Sequence, residues 1–231
     1  MTNDPGNQAA LEAALVQVKL DPHSANNWNQ AAIAALQAAK PEVAVEYITQ
    51  AITLEPQDAL NYSNRGRINF ALGQHQEALA DYSHAIELAP SAPLYASRSV
   101  VNVALERDAA ALSDLTDAIE LAPTAENYLN RTAFFARKSI TGDALRDISQ
   151  VIELQPNDPN HRLTRANLAF AAAQPELGLS DIEAAMRFDQ DDALQPGLLQ
   201  LAEQLELHLP DSPQPDVSRR LIELIRRKKR D

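Results

Sequence analysis

Prolines at 22, 56, 90, 123 and 156 recur at intervals of 34, 34, 33 and 33 residues, each two residues after a leucine: Leu20, Leu54, Leu88, Leu121 and Leu154. A period near 34 signals stacked helix–turn–helix units, none of which can bury its apolar face alone. The proline ring cannot donate the next helical backbone bond, so each proline punctuates the end of a second helix. Phasing on the prolines divides the chain into five units, 25–58, 59–91, 92–124, 125–158 and 159–192.

Three columns of this alignment are nearly all small. Position eight reads Ala32, Gly66, Ser99, Thr132 and Ala166; position twenty reads Ala44, Ala78, Ala111, Ala144 and Gly178; position twenty-seven reads Ala51, Ala85, Ala118, Val151 and Ala185. Antiparallel helices approach closely only where side chains are small, with larger residues filling the space around the contact. Position twenty-four, with Ile48, Tyr82, Leu115, Ile148 and Ile182, supplies that bulk. Only 6 glycines and 5% aromatics accompany an Ala-, Leu-, Gln- and Glu-rich composition, which favours helix over sheet.

The run Tyr62-Ser-Asn-Arg-Gly66, followed by Leu72-Gly73, Ala78, Asp81-Tyr82, Ala85-Ile86 and Pro90, resembles the tetratricopeptide repeat family. The resemblance covers about 25–192. It implies an all-α, right-handed α-solenoid of five helix pairs with N- and C-terminal capping helices, and a binding groove lined by the first helices. Departures are local: Arg162 replaces the aromatic of position four (Trp28, Tyr62, Tyr95, Tyr128), Gln190 replaces the last proline, and Pro41 leads into the second helix of the first unit.

Flanking segments continue the pattern in weaker form. Within the N-terminal segment 1–24, Leu11, Leu15 and Val18 predict a lone second helix over 8–20, ending at Asp21-Pro22. Residues 193–209 read as a C-terminal capping helix with Leu194, Leu198, Leu201 and Leu205 on one face, 210–215 as a proline-rich linker, and 216–231 as a basic amphipathic helix. From 213 to 231 seven cations face three anions, a net +4, so that 1–212 carries −16 of the total −12. This tail reads first as a stripe packing on the acidic body, and second as a dock for an anionic membrane surface or nucleic acid.

Position seven carries Arg65, Arg98, Arg131 and Arg165, and each is followed 16 residues later by an aspartate: Asp81, Asp114, Asp147 and Asp181. The first unit has Ala31 and Tyr47 instead. Arginine at a partly covered position needs partners, so these residues predict a structural ion-pair ladder rather than a ligand site. The spacing leaves open whether pairs form within units or between them.

In the family that the chain resembles, first-helix positions line the concave face. Position six here is Gln30, Asn64, Ser97, Asn130 and Thr164, all uncharged hydrogen-bonding side chains suited to an extended peptide backbone. Around them stand Ile33, Arg67, Phe70, Val100, Ala133, Asn167 and Phe170. The alternative is that position six is polar only because it faces water. Some family members clamp acidic chaperone tails through lysine and asparagine; of the corresponding Asn29, Ile33, Asn64, Pro93 and Ser97, only Asn64 matches, so such a clamp is not expected.

Cysteine is absent, which excludes disulfides, zinc–thiolate sites and cysteine nucleophiles. No phosphate loop or HExxH motif occurs. His23, His75, His84, His161 and His208 lack ligand spacing, and Asp189, Asp191 and Asp192 lack the calcium-loop pattern. No metal, cofactor or small-molecule substrate is expected. The start lacks the cationic and apolar regions of a secretory leader, and the expected location is cytoplasmic. With no such chemistry in view, the resemblance implies a non-catalytic adaptor, co-chaperone or assembly factor holding a partner protein's extended segment.

Overall fold

The computed structural model describes residues 5–188 and the isolated positions 197 and 223. Among them are eleven α-helices and no strand: α1 Pro5–Leu20, α2 Ala25–Gln37, α3 Pro41–Leu54, α4 Ala59–Ala71, α5 His75–Leu88, α6 Ala92–Ala104, α7 Asp108–Leu121, α8 Ala125–Arg137, α9 Thr141–Leu154, α10 Pro159–Ala171 and α11 Pro175–Phe188. Apart from the isolated positions 197 and 223, the expected capping helix 193–209, linker 210–215 and basic helix 216–231 lie outside the described residues.

The chain divides into two compact units, 1–123 and 124–231. The first holds α1 and the pairs α2/α3, α4/α5 and α6/α7; the second holds the pairs α8/α9 and α10/α11.

Side-chain caps start most of the first helices. Ser24 accepts from Asn27 N–H, Asp58 from Leu60 N–H, Thr124 from Asn127 N–H and Asp158 from Asn160 N–H, each satisfying a backbone donor that has no partner within the helix. The second helices α3, α5, α7 and α9 have no such cap. Each follows directly on a turn in which position fifteen is left-handed: Ala39 (φ 56°), Gly73 (75°), Glu106 (57°), Ser139 (58°) and Ala173 (54°). The next residue's N–H then reaches back five residues, as from Lys40 to Ala35 O and from Arg107 to Asn102 O. This is the six-to-one bond of a Schellman turn. Only Gly73 announces the conformation in the sequence.

Second helices stop two residues before each proline rather than at it. Glu55, Ala89, Ala122 and Gln155 are already extended (φ −130° to −151°), because proline disfavours helix at the residue preceding it. Each still closes its helix by donating to the carbonyl four residues back. Position four ties the next pair to this turn. Trp28 Nε1 donates to Pro22 O at 2.9 Å, and the Tyr62 hydroxyl to Pro56 O at 3.1 Å. Arg162, which replaces the aromatic, reaches Pro156 O at 3.5 Å.

The small columns form the contact between paired helices. Ala44, Ala78, Ala111 and Ala144 are wholly buried, as are Ala51, Ala85, Val151 and Ala185, with Ile48, Ile148 and Ile182 beside them. Close approach is tightest at two glycines. A Cβ on Gly66 would stand 3.1 Å from the Tyr82 ring, and one on Gly178 would stand 2.7 Å from the Phe170 ring.

Candidate functional site

The arginine ladder forms within helix pairs. Arg65 donates through Nε and Nη2 to Asp81, with Nη2 to Oδ1 at 2.7 Å. Arg98 holds Asp114 in the same way at 2.7 Å, Arg131 holds Asp147 at 2.7 and 2.9 Å, and Arg165 holds Asp181 at 2.8 and 2.7 Å. The two-pronged geometry suits the guanidinium fork. All four aspartates are buried, while the arginines retain 19–26% exposure. Each arginine is raised above its ordinary pKa, chiefly by its hydrogen bond to the aspartate, with burial acting the other way.

Further contacts satisfy the buried charges. Asn69 Nδ2 donates to Asp81 at 2.9 Å and Asn102 Nδ2 to Asp114 at 2.8 Å. Arg98 Nη1 reaches back to Ser83 Oγ at 3.2 Å, and Arg165 Nη1 to Ser149 Oγ at 3.0 Å. Thus the arginines of α6 and α10 link their own pair and also the preceding second helix. Asn69, Asn102, Ser83 and Ser149 escaped the sequence reading, although they recur at positions eleven and twenty-five and the repeat itself carries that signal.

Position six does not behave as one column. Gln30, Asn130 and Thr164 are exposed, Ser97 is half-buried and Asn64 is buried. Asn64, expected among the groove residues of position six, is instead enclosed by the neighbouring helix. Its Nδ2 donates to Asn29 Oδ1 at 2.9 Å, and Asn29 Nδ2 in turn donates to Asn61 Oδ1. Three buried amides, unforeseen as a group, thus join α2 to α4. Thr164 spends its hydroxyl on Asn160 O at 2.9 Å in its own helix. Phe170 packs over Gly178 inside its pair, and Phe70 lies half-buried beside Leu79, Tyr82 and Val101. Ile33 is half-buried on the cleft between α1 and α2. Arg67 and Val100 in the first unit, and Ala133 and Asn167 in the second, are exposed on their first helices.

Gln30 in the first unit and Asn130 and Asn167 in the second are exposed amides whose side chains hydrogen-bond to nothing among the described residues. Each offers both a donor and an acceptor. No group of His, Cys, Asp and Glu among the described residues is arranged to hold a metal ion, and no described helix is long and apolar enough to cross a membrane. Apart from position 223, the basic tail 213–231 lies outside the described residues.

Residues 59–92 match the tetratricopeptide repeat family model. The small glutamine-rich tetratricopeptide repeat-containing protein 2 of Mycosarcoma maydis is 31% identical over 83 residues, which is 36% of this chain and about a quarter (24%) of that protein's length. Among solved structures, the C-terminal part of a tetratricopeptide repeat-containing protein from Cytophaga hutchinsonii superposes with a TM-score of 0.76 at 16% identity, covering 95% of this chain and 89% of that one. YrrB, described as a tetratricopeptide repeat protein with an unusual peptide-binding site, superposes with a TM-score of 0.61 at 20% identity, covering 83% of this chain and all of that one. With the 33–34-residue period, the paired helices and the small contact columns, residues 59–92 carry a tetratricopeptide repeat and the chain has the fold of tetratricopeptide repeat proteins.

Proposed function

We propose that the chain is a non-catalytic scaffold, an adaptor or assembly factor, whose first helices hold an extended segment of a partner protein. Proteins with tetratricopeptide repeats serve in general as protein-interaction modules. The observation that carries the finer reading is the pair of exposed, unpaired amides on first helices of the second unit, Asn130 and Asn167. An amide that donates and accepts at once grips a peptide backbone irrespective of its sequence. Ala133, exposed on the same helix as Asn130, supplies apolar contact. The peptide-binding site named for YrrB supports the same use of this fold. Adaptor work of this kind needs no cofactor and fits a location inside the cell.

The test is affinity capture of a partner with the full chain, followed by calorimetry with the partner's segment on wild type and on Asn130→Ala plus Asn167→Ala. Binding weakens by about 1–3 kcal/mol in total, at roughly 0.5–1.5 for each lost hydrogen bond. Equal affinities remove these amides from the site.

A further inference from the structure

α1 carries the register of a second helix. Leu20, Asp21 and Pro22 stand to it as Leu54, Glu55 and Pro56 stand to α3, and Asp21 N–H closes it on Gln17 O at 2.9 Å just as Glu55 N–H closes α3 on Ala51 O at 2.9 Å. In that register Ala10, Ala14 and Gln17 occupy positions twenty, twenty-four and twenty-seven. In α3, α5, α7, α9 and α11 all three positions are buried beneath the first helix of the same pair. In α1, Ala10 and Gln17 are exposed and Ala14 is half-buried, while Leu11 is buried together with Ala25, Ala32 and Ala35 of α2. So α1 packs forward as α3, α5 and α9 do and leaves bare the face that elsewhere receives a first helix. With Gln30, Ile33, Ala34 and Gln37 of α2, this face walls a cleft of about 450 Å³, which nothing among the described residues fills.

The cleft states what it needs. Ala14 stands where the complete pairs carry Ile48, Tyr82, Leu115, Ile148 or Ile182, so an occupant must bring the missing bulk on an apolar helical stripe. Residues 1–123 hold 15 acidic and 6 basic side chains, so a basic helix is favoured over an acidic one. Beyond Phe188 the chain has 43 further residues, and they include such a segment. Val217, Leu221, Leu224 and Ile225 recur at helical spacing ahead of five consecutive cations, Arg226 to Arg230.

We propose that segment 216–231 of a second copy of this chain docks in the α1–α2 cleft, in the place that a first helix takes in the complete pairs. The contact is heterologous, because cleft and segment are different surfaces, and each copy carries one of each. Self-association then depends on concentration and weakens as salt screens the cationic end.

The absence of native cysteine makes the test specific. Full-length Ala13→Cys is mixed under mild oxidation with a size-tagged full-length Leu221→Cys. Ala13 is exposed on the cleft wall, and a disulfide needs the two Cα atoms within about 7 Å. The mixed dimer forms in roughly tenfold excess over a mixture using Leu60→Cys, an exposed site on α4, as docking raises the local thiol concentration. Adding Ala10→Arg, an exposed substitution that places a cation in the cleft, to the Ala13→Cys copy removes that excess while circular dichroism is unchanged. A yield equal to the Leu60→Cys mixture, or one indifferent to Ala10→Arg, overturns the proposal. So does a chain bearing both thiols that closes only on itself. Absence of the mixed dimer, with the full chain sedimenting on phosphatidylserine vesicles, overturns it as well and assigns the segment to an anionic surface.

Discussion

Asn64 Nδ2 donates to Asn29 Oδ1 across 2.9 Å, burying one first-helix amide against another between α2 and α4. A residue whose repeat position advertises a groove contact thus contributes to stacking. Asn64→Ala leaves Asn29 Oδ1 without its donor, and a buried unsatisfied group costs about 1–3 kcal/mol. Asn130→Ala, at the same repeat position but exposed, changes stability by about 0.5 kcal/mol or less. Urea unfolding of the two variants gives the comparison. Equal midpoints would show that the buried triad contributes nothing.

Asp114 receives Arg98 through two nitrogens and Asn102 through a third. Asp114→Asn removes the charge that holds Arg98 and misplaces a donor, which costs about 3 kcal/mol, in the range for breaking a buried pair. Partner binding, measured where the variant remains folded, is retained. A folded variant that has lost its partner would make the ladder a recognition surface.

Packing at the paired-helix contact predicts opposite outcomes for two glycines. Gly178→Ala places a Cβ 2.7 Å from the Phe170 ring and destabilises by about 1–3 kcal/mol, as Ala78→Leu and Ala111→Leu do at the wholly buried small column. Gly142→Ala meets nothing within 4 Å and stabilises by about 0.4–1 kcal/mol by restricting the unfolded chain. Thermal melts of all four decide whether the helix contacts are as tight as described.

The left-handed turns carry a cost that glycine removes. Glu106 holds φ 57° with a side chain, at about 1 kcal/mol, so Glu106→Gly raises the melting temperature. Gly73→Ala lowers it, since Gly73 holds φ 75°. A fall with Glu106→Gly would mean that the glutamate makes a compensating contact.

Burial raises the Tyr82 phenol above its ordinary value, while the Ser97 hydroxyl and Arg67 pull it down. A raised folded pKa means that the neutral phenol is preferred in the fold. Its contribution is fully present below the unfolded value of about 10 and is lost as pH rises through the folded value. Urea midpoints measured up the alkaline limb therefore fall for wild type and fall less for Tyr82→Phe. Identical limbs would place the loss elsewhere.

The sequence alone determined the period, the helix pairing and the packing columns, because these follow from local rules repeated five times. Proline disfavours helix at the residue before it, so Pro56 or Pro90 closes off a second helix, and Ala78 or Ala111 is small because two backbones meet there. The Arg/Asp spacing of 16 was equally legible, but its partners were not, since residues in one register can pair within a unit or across to the next. Only the tertiary structure seated Arg98 on Asp114 of its own pair and extended Nη1 back to Ser83. It alone separated Asn64 from Asn130, because exposure depends on which side chain the neighbouring helix presents: Asn29 lies beside Asn64. The bare face of α1 was invisible for the same reason. Ala10 follows the repeat pattern although Ala14 does not, and only their surroundings show that no first helix among the described residues covers them.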